Sequence, residues 1–91
     1  MNFLSFDLGV VGPTNLVEVS LDAQARVLLL DASSYAAFQR GGSWRGQGGW
    51  AIHTPVCLRP PCHGHWFVVV DLNGAAGRIR VDVRVLGGLA A

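Results

Sequence analysis

The chain contains no lysine, and charged residues of both signs make up only 14% of its 91 residues. Its formal net charge of +1 gives no electrostatic basis for binding nucleic acid. The lack of lysine also excludes a phosphate-binding Gly-x-x-x-x-Gly-Lys loop, which requires one. No apolar run approaches ~20 residues, so a membrane-spanning helix is excluded. We therefore expect neither a nucleic acid nor a membrane as a partner.

Cysteine is also scarce, with only Cys57 and Cys62. The first residues, Met1 to Asp7, lack a basic region before their apolar positions, so they resemble a first strand more than a secretion signal. Two cysteines without such a signal predict a reducing compartment, and hence a cytoplasmic location.

Apolar residues are abundant, at 51% of the chain. This length predicts one domain, residues 1–91, that buries roughly 9,000 Å² on folding, which suffices for a core without metal or disulfide support. Because so few charges are available, part of the surface must be apolar. This favours a homo-oligomer.

The stretch from Gly64 to Leu72 is the longest β-branched and aromatic run, and both of its faces are mostly apolar. It predicts a central strand buried on both sides. The turn signal Asn73-Gly74 follows directly. We therefore expect residues 64 to 85 to form an adjacent antiparallel pair, with the second strand showing Ile79, Val81, Val83 and Val85 on its inner face.

Other segments predict further strands and one helix. Leu16 to Asp22 alternates cleanly between apolar and polar residues, Arg26 to Leu30 is a second interior run, and Pro55 to Leu58 suits an edge strand. Residues 33–40 predict a short helix in which Tyr35 and Phe38 pack on the sheet. The fold class is therefore an all-β antiparallel sandwich, jelly-roll-like, with one helix.

Several segments resemble a known family when taken together in order. They are Asn2 to Gly9, Val17 to Val19, Leu30-Asp31 with Ser33 to Tyr35, Gly48-Gly49, Thr54 to Val56, Gly64 to Leu72, Gly77 to Arg80, and Val83 to Val85. They resemble a small bacterial family of domains of unknown function, found alone or fused to TIR signalling domains. The resemblance implies a compact β-sandwich and hints at sensing, and it implies no established activity or catalytic residues.

The glycine-rich stretch from Gly41 to Gly49 is the candidate binding region, because five of its nine residues are glycine and an ordinary interior strand is not expected there. Aromatic, arginine and glutamine side chains on such a backbone suit ligand or partner contact. The alternative is that its tryptophans fold onto the core while the glycines permit a tight crossing. The candidate site residues are Tyr35, Trp44, Arg45, Gln47 and Trp50.

A second cluster combines thiol and imidazole groups. Cys62, His63 and His65 are candidate zinc ligands, with Cys57 and His53 nearby, but their spacing matches no standard closed site. A Cys57–Cys62 disulfide and a cysteine nucleophile are further alternatives. We expect no cofactor and no catalysis.

The favoured function is a recognition module that binds a small ligand or protein partner, in signalling or defence. The alternatives are a small metal-dependent or cysteine enzyme and a structural oligomerisation domain.

Overall fold

The computed structural model describes residues 3–51, 54–71 and 79–87. These residues form seven strands and one helix, arranged as two antiparallel sheets. The predicted antiparallel β-sandwich with one short helix is thus confirmed. In chain order the elements are β1 (Phe3–Val11), β2 (Leu16–Leu21), β3 (Ala25–Asp31), α1 (Ala32–Gln39), β4 (Gly46–Ala51), β5 (Val56–Leu58), β6 (Gly64–Asp71) and β7 (Val81–Leu86).

The predicted central strand is β6. The four-stranded sheet has the order β1-β6-β3-β4, and β6 pairs antiparallel with both β1 and β3. Val68, Val69 and Val70 are fully buried, so successive residues on both faces are shielded from water. Branched side chains pack well on a pleated surface. The prediction of a strand buried on both sides is confirmed.

The predicted pairing of β6 with β7 is wrong. β7 lies in the three-stranded sheet, whose order is β5-β2-β7, and its pairing with β2 places Val17 opposite Val85 and Leu21 opposite Val81. Both edges of β6 are already occupied by β1 and β3, so β7 has no free edge there. The Asn73-Gly74 turn lies outside the described residues. The pairing of neighbouring strands that the sequence predicted is therefore replaced by long-range pairing of β7 with β2.

The four-stranded sheet is covered on both faces. Its inner face packs on the three-stranded sheet, and its outer face packs under α1. The inner core consists of Val11, Val17, Val19, Leu21, Ala25, Val27, Leu29, Ala51, Trp66, Val68 and Val70. The outer cluster consists of Leu28, Leu30, Phe38 and Val69, with Phe3, Tyr35 and Trp44 packed against it.

Helix α1 begins and ends as its sequence indicates. Asp31 is the N-cap residue, and its side chain accepts a hydrogen bond from the Ser34 amide. The chain leaves the helix through Gly41, whose φ of +75° suits glycine. Tyr35 and Phe38 pack on the sheet, as predicted. None of the described helical segments has the length and apolarity that crossing a membrane requires.

The glycine-rich stretch supplies the edge strand β4. This confirms that it is not an ordinary interior strand, and its pairing with β3 begins at Gly46. The strand approaches β3 very closely. A Cβ atom at Gly46 would collide with Leu30 and with the Leu29 carbonyl, and one at Gly48 would collide with the Val27 carbonyl. Glycine is therefore required for this edge to pair.

We predict that Gly48→Ala lowers the free energy of unfolding by about 3 kcal/mol, because alanine is strained at the observed φ of +117° and its methyl group meets the Val27 carbonyl. Gly49→Ala is the matched control, since open space surrounds its Cβ position, and its effect should stay below about 1 kcal/mol. Urea unfolding followed by circular dichroism measures both. Equal stability of the two variants would contradict the close approach of β4 to β3.

Candidate functional site

A cavity of about 260 Å³ lies between the beginning of α1 and the segment that returns from α1 to β4. Two of the predicted site residues, Trp44 and Arg45, border it. Three serines from both sides complete its polar wall. The full lining is Ser33, Ser34, Ala37, Ser43, Trp44 and Arg45.

Hydrogen bonds fix the walls of this cavity. Asp31 Oδ1 accepts from the Ser34 amide at 2.8 Å and from Ser33 Oγ at 3.2 Å. The Arg45 amide in turn donates to Ser34 Oγ at 3.2 Å, which ties the returning segment to the first turn of the helix. The hydrogen bond from the Ser34 amide holds the pKa of the Asp31 carboxyl below its ordinary value of 3.8. The helix cap therefore also shapes the cavity.

Trp44 serves both the core and the cavity. Its ring meets Phe38 edge-on, with centroids 5.9 Å apart, and packs against the outer cluster. The Arg26 guanidinium carbon lies 5.8 Å from the Trp44 ring centroid, and Arg26 Nη2 donates to Asp71 Oδ2 at 2.7 Å. Trp44 thus folds back towards the core, as in the alternative interpretation, and still borders the cavity.

The other three predicted site residues lie outside the cavity. Tyr35 stacks on Phe67 at a centroid distance of 4.2 Å, and its hydroxyl donates to Ser5 Oγ. Gln47 Nε2 donates to the Arg59 carbonyl at 2.9 Å. Trp50 is 60% exposed on the edge strand. Of the five predicted site residues, two therefore border the cavity, namely Trp44 and Arg45. Tyr35 and Gln47 make contacts elsewhere in the fold, and Trp50 is exposed.

Within the described residues the structure does not assemble the thiol and imidazole cluster, and His53 lies outside those residues. His65 Nε2 lies 2.5 Å from Asp7 Oδ1, and its ring stacks on Phe67. Cys57 and Cys62 are exposed free thiols, so the disulfide alternative is not realised. The described part of the chain holds no metal-binding group of three or more His, Cys, Asp or Glu side chains. The candidate metal ligands Cys62, His63 and His65 therefore do not form such a group.

Sequence reasoning missed the serines. None of Ser33, Ser34 and Ser43 is among the site residues that the sequence predicted. The usable signal was the position of Ser33 and Ser34 two and three residues after Asp31, because a capped first turn holds its next side chains in fixed directions. The sequence does not predict that Ser43 faces these two serines, because its position depends on the path of the segment that connects α1 to β4.

The chain was compared with known proteins. The family described as "Domain of unknown function (DUF1883)" matches residues 1–88, a range that includes every residue lining the cavity. No curated protein and no solved structure matches the chain. The resemblance to a family of domains of unknown function is thereby confirmed, while the bacterial origin and the fusion to TIR domains stay predictions.

We predict that Asp31→Ala lowers the free energy of unfolding by about 1 kcal/mol at pH 7, because the Ser34 amide loses its acceptor. The folded-state pKa of Asp31 is lowered, so the advantage of wild type is present above the ordinary value of 3.8 and is lost as the pH falls through the folded value. Asp31→Asn is the control, since asparagine caps without titrating. Urea unfolding at pH 7 and pH 2.5 tests this, and a difference between wild type and Asp31→Ala that persists undiminished at the lower pH would contradict it.

Proposed function

We propose that the chain, which belongs to the DUF1883 family of domains of unknown function, is a non-catalytic recognition module. The observation that carries this proposal is the cavity at the beginning of α1, which three serines, Trp44 and Arg45 line. Sites for small molecules are concave and combine apolar walls with a few polar groups that fix the orientation of the ligand. The cavity has this composition.

The chemistry of the lining defines the class of ligand. Each serine hydroxyl both donates and accepts hydrogen bonds, whereas the Arg45 guanidinium only donates. Trp44 and Ala37 supply apolar surface. The volume of about 260 Å³ is slightly below the roughly 300–1,000 Å³ of typical ligand pockets. A small polyhydroxylated molecule with an acceptor oxygen for Arg45, such as a single sugar or sugar acid, suits these properties best.

The lining also supports recognition without catalysis. It contains no histidine, cysteine or carboxylate, and these are the groups that commonly activate a nucleophile or transfer a proton. The carboxylate closest in sequence, Asp31, is engaged in capping α1. His65 is paired with Asp7 and stacked on Phe67. Asp31 and His65, which do not line the cavity, are therefore both engaged in other contacts.

A role in cytoplasmic signalling or defence is the broader setting that we propose. It rests on the resemblance of the chain to domains fused to TIR signalling domains, which is an analogy at the level of the family. A small rigid sandwich with one ligand site suits a sensing unit that passes the bound state to a neighbouring domain or protein.

Arg45→Ala tests the proposal. The probes are glucose, galactose, glucuronate and galacturonate, and the readout is the indole N–H signal of Trp44 in heteronuclear NMR spectra. We expect saturable movement of this signal with at least one probe, and binding about tenfold or more weaker in Arg45→Ala, because hydrogen bonds from charged groups contribute roughly 1.5–3 kcal/mol.

Two controls accompany this experiment. Arg84→Ala removes an arginine from the three-stranded sheet, far from the cavity, and should leave binding unchanged. The Trp66 indole, whose Nε1–H donates to the Cys62 carbonyl at 3.0 Å, should not move. If none of the four probes moves the Trp44 signal, or if the movement survives Arg45→Ala, the assignment of the cavity to this ligand class is wrong.

A further inference from the structure

The two sheets differ in width, and the mismatch leaves part of one face open. β4 and β5 lie together at one side, where Gln47 bonds the Arg59 carbonyl. The strand orders then place β1 and β7 at the other side. On the inner face, Val68 and Val70 of β6 and Val27 and Leu29 of β3 are fully buried. Leu4 on β1 is 37% exposed, and Phe6 and Leu8 are only partly buried. β1 therefore extends one strand beyond β7.

The neighbouring edge of the three-stranded sheet is open as well. Within the described ranges, β7 pairs only with β2. Its inner-face residues Val81 and Val83 pack partly against the core, whereas Val85 and Leu86 are 39% and 38% exposed. Among the described strands, an apolar slot thus remains beside β7 and beneath β1, bordered by the exposed side chains of Leu4 and Val85.

Backbone hydrogen bonds show which groups of β7 face this slot. The Arg80 carbonyl accepts from the Asp22 amide at 3.2 Å, so the backbone of Arg80 faces β2. In antiparallel pairs this direction alternates from residue to residue, and the β2–β7 register continues without a shift. The N–H and C=O groups of Val81, Val83 and Val85 consequently point away from β2, into the slot.

From this geometry we propose that the slot accepts an extended segment of a partner polypeptide, which adds to β7 as the fourth strand of the three-stranded sheet. Strand addition supplies backbone hydrogen bonds for affinity and side-chain contacts at alternate positions for specificity. The added strand would bond the outward groups of Val81, Val83 and Val85. Its apolar side chains would cover Leu4 and Phe6 on the open inner face of β1.

The charges on β7 specify the sequence of this segment. Asp82 and Arg84 alternate with the valines and point to the outer face of the sheet. Opposite charges directly across an antiparallel pair stabilise it, and like charges destabilise it. A segment that runs antiparallel to β7 therefore needs an acid opposite Arg84 and a base opposite Asp82. Read from its N-terminus, the pattern is apolar, acid, apolar, base, apolar.

A second folded copy does not fit the slot. β7 itself carries the required pattern, so the β7 strands of two copies could pair antiparallel. In that pair, Val83 of one copy would lie opposite Val83 of the other. However, β1 extends one strand beyond β7. If β7 paired with β7 of a second copy, the four-stranded sheet of that copy would need the place beside β7 that β1 already takes. The slot has the width of one strand and suits an extended segment.

The experiment uses a fluorescein-labelled peptide with the sequence of residues 80–86, Arg-Val-Asp-Val-Arg-Val-Leu, and the full chain. Fluorescence anisotropy should show saturable binding. A peptide with its acid and second base exchanged, Arg-Val-Arg-Val-Asp-Val-Leu, should bind about tenfold more weakly, because both charge pairs become repulsive. A peptide that is N-methylated at the central valine should also bind about tenfold more weakly, because it loses a backbone donor.

Reversing the charges of the protein provides the matched variant. The double substitution Asp82→Arg with Arg84→Asp should invert the preference between the two charge orders, and circular dichroism establishes that the variant is folded. Equal binding of all three peptides to the wild-type chain, which needs no variant to fold, would overturn the proposal. Self-association of the wild-type chain in sedimentation experiments would also overturn the proposal if Arg84→Asp abolished it, because a second copy would then be the occupant.

This site is independent of the proposed sugar site. The cavity at α1 lies on the outer face of the four-stranded sheet, and the slot lies beside β7. Arg45→Ala should therefore leave peptide binding unchanged, so failure of one proposal does not imply failure of the other.

Discussion

The burial of β6 on both faces and its pairing on both edges constrain the rest of this structure. Val68, Val69 and Val70 are three consecutive fully buried residues, so the four-stranded sheet needs a cover on each side. The three-stranded sheet supplies one cover and α1 supplies the other. A strand that is apolar on both faces can be stable only in a layered arrangement of this kind.

The same constraint positions the cavity. Since α1 must lie over β6 and β3, the chain has to return from the end of the helix to the outer edge of β3 to begin β4. It does so across the outer face, with Trp44 packed on Phe38 and the Arg45 amide bonded to Ser34 in the first helical turn. Covering the apolar outer face thus brings the polar groups of helix and connection together around an open space.

The sequence predicted what local patterns determine and missed what depends on distant partners. The runs around β2, β3 and β6 and the short helix were identified because burial periodicity and helix signals act within a few residues. The partner of β7 was mispredicted because it depends on which strand edges remain free. The pair of Asp7 and His65 was missed for a similar reason, since 58 residues separate them. Of the candidate site residues, Trp44 and Arg45 were predictable from composition, but the serines that face them were not.

The mismatch between the sheets and the glycines of β4 both relate to how the described strands are divided between the two sheets. With β6 at its centre, the larger sheet takes β1, β3 and β4, and within the described residues only β5, β2 and β7 remain for the smaller one. Gly46 and Gly48 let β4 pair closely enough with β3 to complete that larger sheet. Part of the apolar surface expected from the low charge content then lies at Leu4 on β1, which no strand among the described residues covers. Asp82 and Arg84 on the adjacent edge discourage indiscriminate pairing, since charged side chains on an edge strand oppose aggregation, and their alternation leaves it selective for a complementary strand.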